Sequence, residues 1–156
     1  MLEAAPDLPP DTSIDIYGTL DEYTDDDIRE RGMGRVRYCG RLTHAQVDEK
    51  LRAYDCLVLP TFHPGEGYPG VIAEAFSQGL PVITTQWLAI PEIVNEECGI
   101  LIPPNDTAAF VAAIAALNAD RARWQRLCQG AYANAAQFDH EVWSKKFESI
   151  CEELVG

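Results

Sequence analysis

Two glutamates, Glu66 and Glu74, stand eight positions apart in the stretch HPGEGYPGVIAEAFSQGLPVITT, residues 63–85. Three glycines (Gly65, Gly67, Gly70) and two prolines (Pro64, Pro69) lead into a small-residue segment that reads as a helix near 70–78, ended by Gly79. Glycines let backbone N–H groups approach a ligand closely. The first turn of a helix adds unpaired N–H groups and a partial positive charge, which together favour a phosphate. A carboxylate accepts hydrogen bonds from paired hydroxyls such as those of a sugar or a ribose. A diphosphate with a sugar at each end would use all three features. From spacing alone the plainer reading stays open: a glycine-rich turn with Glu66 in solvent and Glu74 on an exposed helix face.

The elements that must carry this stretch are strands alternating with helices. Short apolar runs at SIDIYG, RVRYC, CLVLP, PVITT and GILIP read as five strands, the third continuously apolar as a strand covered on both faces would be. Between them, Thr24 followed by Asp25, Asp26 and Asp27 marks one helix start, and Thr43 with Gln46 has capping-box spacing at another. Pro91 suits the first position of a short helix. After residue 104 the chain reads as helical, with Asp106 as a cap and helices over 106–155. The last puts Trp143, Phe147, Ile150, Cys151 and Leu154 on one stripe. This order predicts an α/β fold, a Rossmann-like parallel sheet of about five strands with helices on both faces. Ligands bind beyond the carboxyl ends of such strands, where the loop leaving CLVLP lies. Residues 1–12 read as an irregular lead-in and 13–156 as one domain.

Composition narrows the function. At 156 residues the chain suits one domain that buries roughly 70% of its unfolded surface. Twelve Lys and Arg against 25 Asp and Glu give a net charge of −13, which argues against nucleic acid and against docking to anionic lipid through a basic patch. Five dispersed cysteines with no Cys-x-x-Cys pair suggest reduced thiols in a cytoplasmic protein, with Cys39 and Cys56 expected to be buried. No leader is legible, and no apolar run is long enough to cross a membrane.

Against that background, GEGYPGVIAEAFSQGLPVITT followed by IPEIV and GILIPP resembles the C-terminal, donor-binding domain of the retaining GT-B glycosyltransferases of family 4. That family's signature is Glu, seven residues, Glu, met here by Glu66 and Glu74, and the resemblance runs from about Ile14 to Leu154. It implies half of a GT-B fold that binds a nucleotide-diphosphate sugar, UDP- or GDP-linked, for transfer with retention to a glycan or lipid-linked acceptor, as in polysaccharide biosynthesis. It implies Glu66 as the catalytic-site residue beside the transferred sugar. Gly65, Gly67, Tyr68, Gly70 and Val71 would line the sugar and diphosphate, Glu74 would hold the ribose, and Gly40–Leu42 would lie near the base. No metal and no cofactor are implied. Arg41 and His63 are the nearby cations that could face the diphosphate.

The chain departs from the pattern at its start. The family's first strand, central in its sheet, and the Arg and Lys that follow it do not precede SIDIYG, and Pro6, Pro9 and Pro10 bar residues 1–12 from replacing a central strand. IDIYG and CLVLP are therefore expected either to pair directly or to leave a gap filled by another chain. The acceptor-binding domain, as a domain or subunit, would be the partner, peripheral at the inner membrane face. The terminal stripe would lie against it or offer a route to self-association. The chain alone is expected to be inactive. Two alternatives stay open: a non-catalytic nucleotide-sugar-binding module, and another GT-B enzyme such as a nucleotide-sugar epimerase.

Overall fold

A computed structural model describes residues 1–155. A 3₁₀ helix (Leu2–Asp7) precedes β1 (Ile14–Ile16), α1 (Asp25–Arg31), β2 (Val36–Tyr38), α2 (His44–Leu51), β3 (Leu57–Leu59), α3 (Gly70–Ser77), β4 (Val82–Thr85), α4 (Ile90–Ile93) and β5 (Gly99–Ile102). Three helices follow, α5 (Thr107–Ala119), α6 (Arg121–Asn134) and α7 (His140–Val155), with a single 3₁₀ turn (Ala135–Phe138) before the last. The caps form as the side chains require. Thr24 accepts from the Asp27 N–H, Asp106 from the Ala109 N–H at 2.8 Å and Asp120 from the Arg123 N–H at 2.8 Å. At α2 the Gln46 side chain accepts from the Thr43 N–H at 2.9 Å.

All strand pairs are parallel, as helical crossovers demand. The strands are hydrogen-bonded as two sheets rather than one, β1–β2 and β3–β4–β5. β1 and β3 therefore do not pair directly. Side chains join the sheets instead. The Tyr54 hydroxyl, just ahead of β3, donates to Asp15 of β1 at 2.9 Å and lies 2.8 Å from the Tyr17 hydroxyl. Arg37 of β2 closes on the same Asp15 carboxylate at 2.7 Å.

Helices cover both faces, and period-two alternation sorts the strand residues between two cores. Val58, Ile83, Ile100 and Ile102 meet α1, α5 and the first 3₁₀ helix. Leu57, Leu59, Val82 and Leu101 meet α2, α3, α4 and Ala131 of α6. The lead-in is irregular in pattern but not in packing. Leu2, Ala4, Ala5 and Leu8 are buried, and the Arg35 guanidinium ties the segment down through the carbonyls of Leu8, Pro9 and Thr12.

The cysteine expectation holds in part. Cys56 is half-buried, and burial pushes its thiol up to about 12. Cys39 is exposed, because it follows the last paired residue of β2 and points away from both cores. Native alkylation at pH 8 read by mass spectrometry should label Cys39 well before Cys56 and Cys98; equal labelling would mean the cores open readily.

Gly130 sets the seat of α6. A Cβ there would stand 1.9 Å from the Glu97 carbonyl, so the helix can approach the β5 entrance only as glycine. Helix propensity alone favours alanine by about 1 kcal/mol. Overpacking costs about 1–3 kcal/mol and should win. Gly130→Ala is expected to lower the urea-unfolding midpoint, and a rise would show that α6 is free to shift.

Candidate functional site

The loop of residues 60–69 leaves the carboxyl end of β3 and delivers the chain to α3. Its path is fixed by its neighbours. Thr84 Oγ1 donates to the Leu59 carbonyl at 2.8 Å, and Thr85 Oγ1 donates to the Thr61 carbonyl. Trp87 Nε1, beyond β4, donates to the His63 carbonyl at 2.8 Å. The Tyr68 hydroxyl donates to Glu92 on α4, a bond that raises the Tyr68 phenol above its ordinary range.

Within the loop, the Glu66 N–H donates to the His63 carbonyl at 3.0 Å, closing a turn. The Gly65 N–H donates to His63 Nδ1 at 3.1 Å. That bond lets the His63 side chain shape the turn. Thr61 Oγ1 donates to Glu66 Oε2 at 2.9 Å and holds the half-buried carboxylate.

Pro69 caps α3 from outside rather than opening its first turn. The Gly70 and Val71 amides that open the helix have no acceptor among the described residues, whereas the next amide, Ile72, donates to the Pro69 carbonyl at 3.0 Å. Gly67 and Gly70 adopt no left-handed φ, and a Cβ added to either would meet nothing within 4 Å. Neither the backbone conformation nor the chain's own packing explains why these positions carry no side chain.

Glu74, one turn into α3, is mostly shielded, and its Oε1 lies 3.3 Å from His44 Nδ1 on the first turn of α2. Phe62, Tyr68 and Leu88 expose their side chains around the loop. Arg41 is exposed on the loop between β2 and α2. The structure thus gathers Gly65, Glu66, Gly67, Tyr68, Gly70, Val71 and Glu74 on one segment at the carboxyl edge, and brings His44 to it from 30 positions earlier. Sequence reading missed Thr61, Trp87, Glu92 and His44. Only Thr61 had a signal, as the hydroxyl residue shortly after a strand and just ahead of a glycine loop. The described residues contain no group of three His, Cys, Asp or Glu that could hold a metal, and no helix long and apolar enough to cross a membrane.

Residues 1–120 match the family model described as glycosyl transferases group 1. The chain is 34% identical over 101 residues to an exopolysaccharide phosphotransferase of Streptomyces coelicolor, covering 64% of this chain and 11% of that protein. It is 35% identical over 125 residues to the lipopolysaccharide core biosynthesis mannosyltransferase LpsB of Rhizobium meliloti, covering 78% and 34%. The fold superposes on Anabaena HepE in its complex with UDP with a TM-score of 0.84 at 21% identity, over 97% of this chain and 44% of that one. The chain thus spans less than half the length of each.

Thr61→Val removes one donor to the Glu66 carboxylate and should cost about 1.5–3 kcal/mol in the folded state. Urea unfolding and faster amide exchange at Glu66 check it; unchanged exchange would mean the loop is held without Thr61.

Proposed function

The chain belongs to the group 1 glycosyl transferases, and on that premise we propose that it is the donor-binding domain of a retaining hexosyltransferase, taking a UDP- or GDP-linked sugar. One observation carries the reading. Two glycines leave open space at a helix start whose first amides have no acceptor among the described residues, and a carboxylate stands on each side. An anion with hydroxyl-bearing groups at both ends matches that arrangement.

In this reading the amides of Gly67, Tyr68, Gly70 and Val71 take the diphosphate, where hydrogen-bond donors and a helix dipole stabilise charge as it develops on the leaving group. Glu66, held by Thr61, faces the transferred sugar beside the reacting carbon. Glu74 receives the ribose hydroxyls, and Arg41 supplies the cation at the rim. His63, whose Nδ1 accepts from the Gly65 N–H, shapes the turn beside the diphosphate. Transfer takes place against an acceptor-binding domain, consistent with a chain that spans less than half of its relatives. The exposed Trp143, Phe147 and Ile150 of α7 offer that domain an apolar face. Five free cysteines suit a reducing, cytoplasmic setting.

A second reading is favoured by the shortage of cations at the loop: a nucleotide-sugar-binding module that does not transfer. Calorimetry tests the shared part. UDP or GDP should bind at or below millimolar concentration, and Glu74→Ala should weaken binding at least about tenfold, as the loss of charge-assisted hydrogen bonds implies. Glu66→Gln should leave the nucleoside diphosphate affinity nearly unchanged and weaken the nucleotide sugar. Absence of binding to all of UDP, GDP and ADP at millimolar concentration sinks both readings. Transfer on adding an acceptor-binding domain separates them.

A further inference from the structure

We propose that His44 is a positioning residue for the donor's ribose, one that holds the Glu74 carboxylate in place. The proposal rests on the reading of Glu74 as the ribose ligand. His44 is the first residue of α2, reached from the carboxyl end of β2, and its Nδ1 lies 3.3 Å from Glu74 Oε1. Its placement is not accidental to one side chain. The bond from the Thr43 N–H to Gln46 Oε1 at 2.9 Å fixes where α2 begins. At the other end of α2, Arg52 Nε donates to Gln78 Oε1 at the close of α3 at 2.6 Å, so α2 meets α3 at both of its own ends.

The two side chains differ in exposure, 92% for His44 and 27% for Glu74. The imidazole therefore stands on the solvent side of a shielded carboxylate. His44 Nδ1 stands beside Oε1 at 3.3 Å, and Oε2 is left to accept from a ribose hydroxyl. A contact this exposed adds little to folding stability. Its effect falls on binding. A glutamate side chain free to rotate must be ordered when the ribose arrives, and one already held is not, a difference of roughly three- to tenfold in Kd.

The test is calorimetry on the full chain with UDP, GDP or ADP, whichever binds tightest, paired with its 2′,3′-dideoxy form. His44→Ala should weaken the ribonucleotide roughly three- to tenfold and leave the dideoxynucleotide unchanged. His44→Asn, which places an amide N–H donor near the Nδ1 position, should recover most of the loss. His44 is exposed, so its replacement should leave the fold intact, and a thermal melt of each variant checks it. Equal loss on both nucleotides, no loss, or no recovery with asparagine overturns the proposal. Glu74→Ala is the separating control and should abolish the preference for the ribonucleotide. If that preference survives, the ribose reading of Glu74 fails and takes the His44 proposal with it. If Glu74→Ala behaves as expected and His44→Ala does not, only the His44 proposal falls.

Discussion

The arrangement of this domain turns on two buried hydroxyls. Thr84 and Thr85, at the end of β4, are the buried polar residues among the described side chains. Left unpaired, each would cost more than its methyl group gains. They are satisfied by the carbonyls of Leu59 and Thr61, where β3 peels away from the ladder. The β3–β4 pairing ends at Leu59 opposite Thr84, so the next carbonyls need other donors. The requirement to pair buried polar groups thus dictates where the loop departs. That departure determines where Glu66 and the start of α3 come to rest. Trp87 and Glu92, from the segment after β4, then hold the outer loop through His63 and Tyr68.

The break between the two sheets is the other structural constraint. A parallel sheet gains cooperativity from a continuous ladder, and here the ladder stops between β1 and β3. The Tyr54 hydroxyl spans the break with bonds to Tyr17 and Asp15, and Arg37 of β2 holds the same Asp15 carboxylate from within its own sheet. Burial, with the hydrogen bonds to Tyr17 and Asp15, raises the Tyr54 phenol well above its ordinary range, so it stays a neutral donor. The shared core beneath, with Ile14, Val36 and Ile83 packed together with the first 3₁₀ helix, keeps the two sheets in one body. The β2–α2 loop can therefore reach α3, although β2 and β3 lie in different sheets.

Much of this was legible in the chain itself. Apolar runs and capping residues marked the five strands and the α-helices between and after them, though not the 3₁₀ helix Leu2–Asp7, because local hydrogen bonding and burial period act over a few residues. The loop's chemistry was equally local: glycines, a helix start and two glutamates one short segment apart. The buried lead-in was not legible, since Leu2, Ala4, Ala5 and Leu8 follow no period and are recruited by packing on α1 and α5. Cys39 misled for a related reason. Period-two alternation along β2 puts Cys39 on the exposed face with Arg37, opposite the buried Val36, so its place in an apolar run did not mean burial.

What the sequence alone determined is therefore the identity of the elements and the content of the site segment, both products of short-range spacing. What only the tertiary structure decided is which distant groups hold that segment: Thr85 on Thr61, Trp87 on His63, Glu92 on Tyr68 and His44 on Glu74. The division of the sheet belongs to the same class. These contacts join positions 24 to 30 residues apart, and no local pattern encodes them. They arise because buried polar groups must find partners wherever the packed fold presents them, and that geometry exists only once the helices have closed over both faces of the strands.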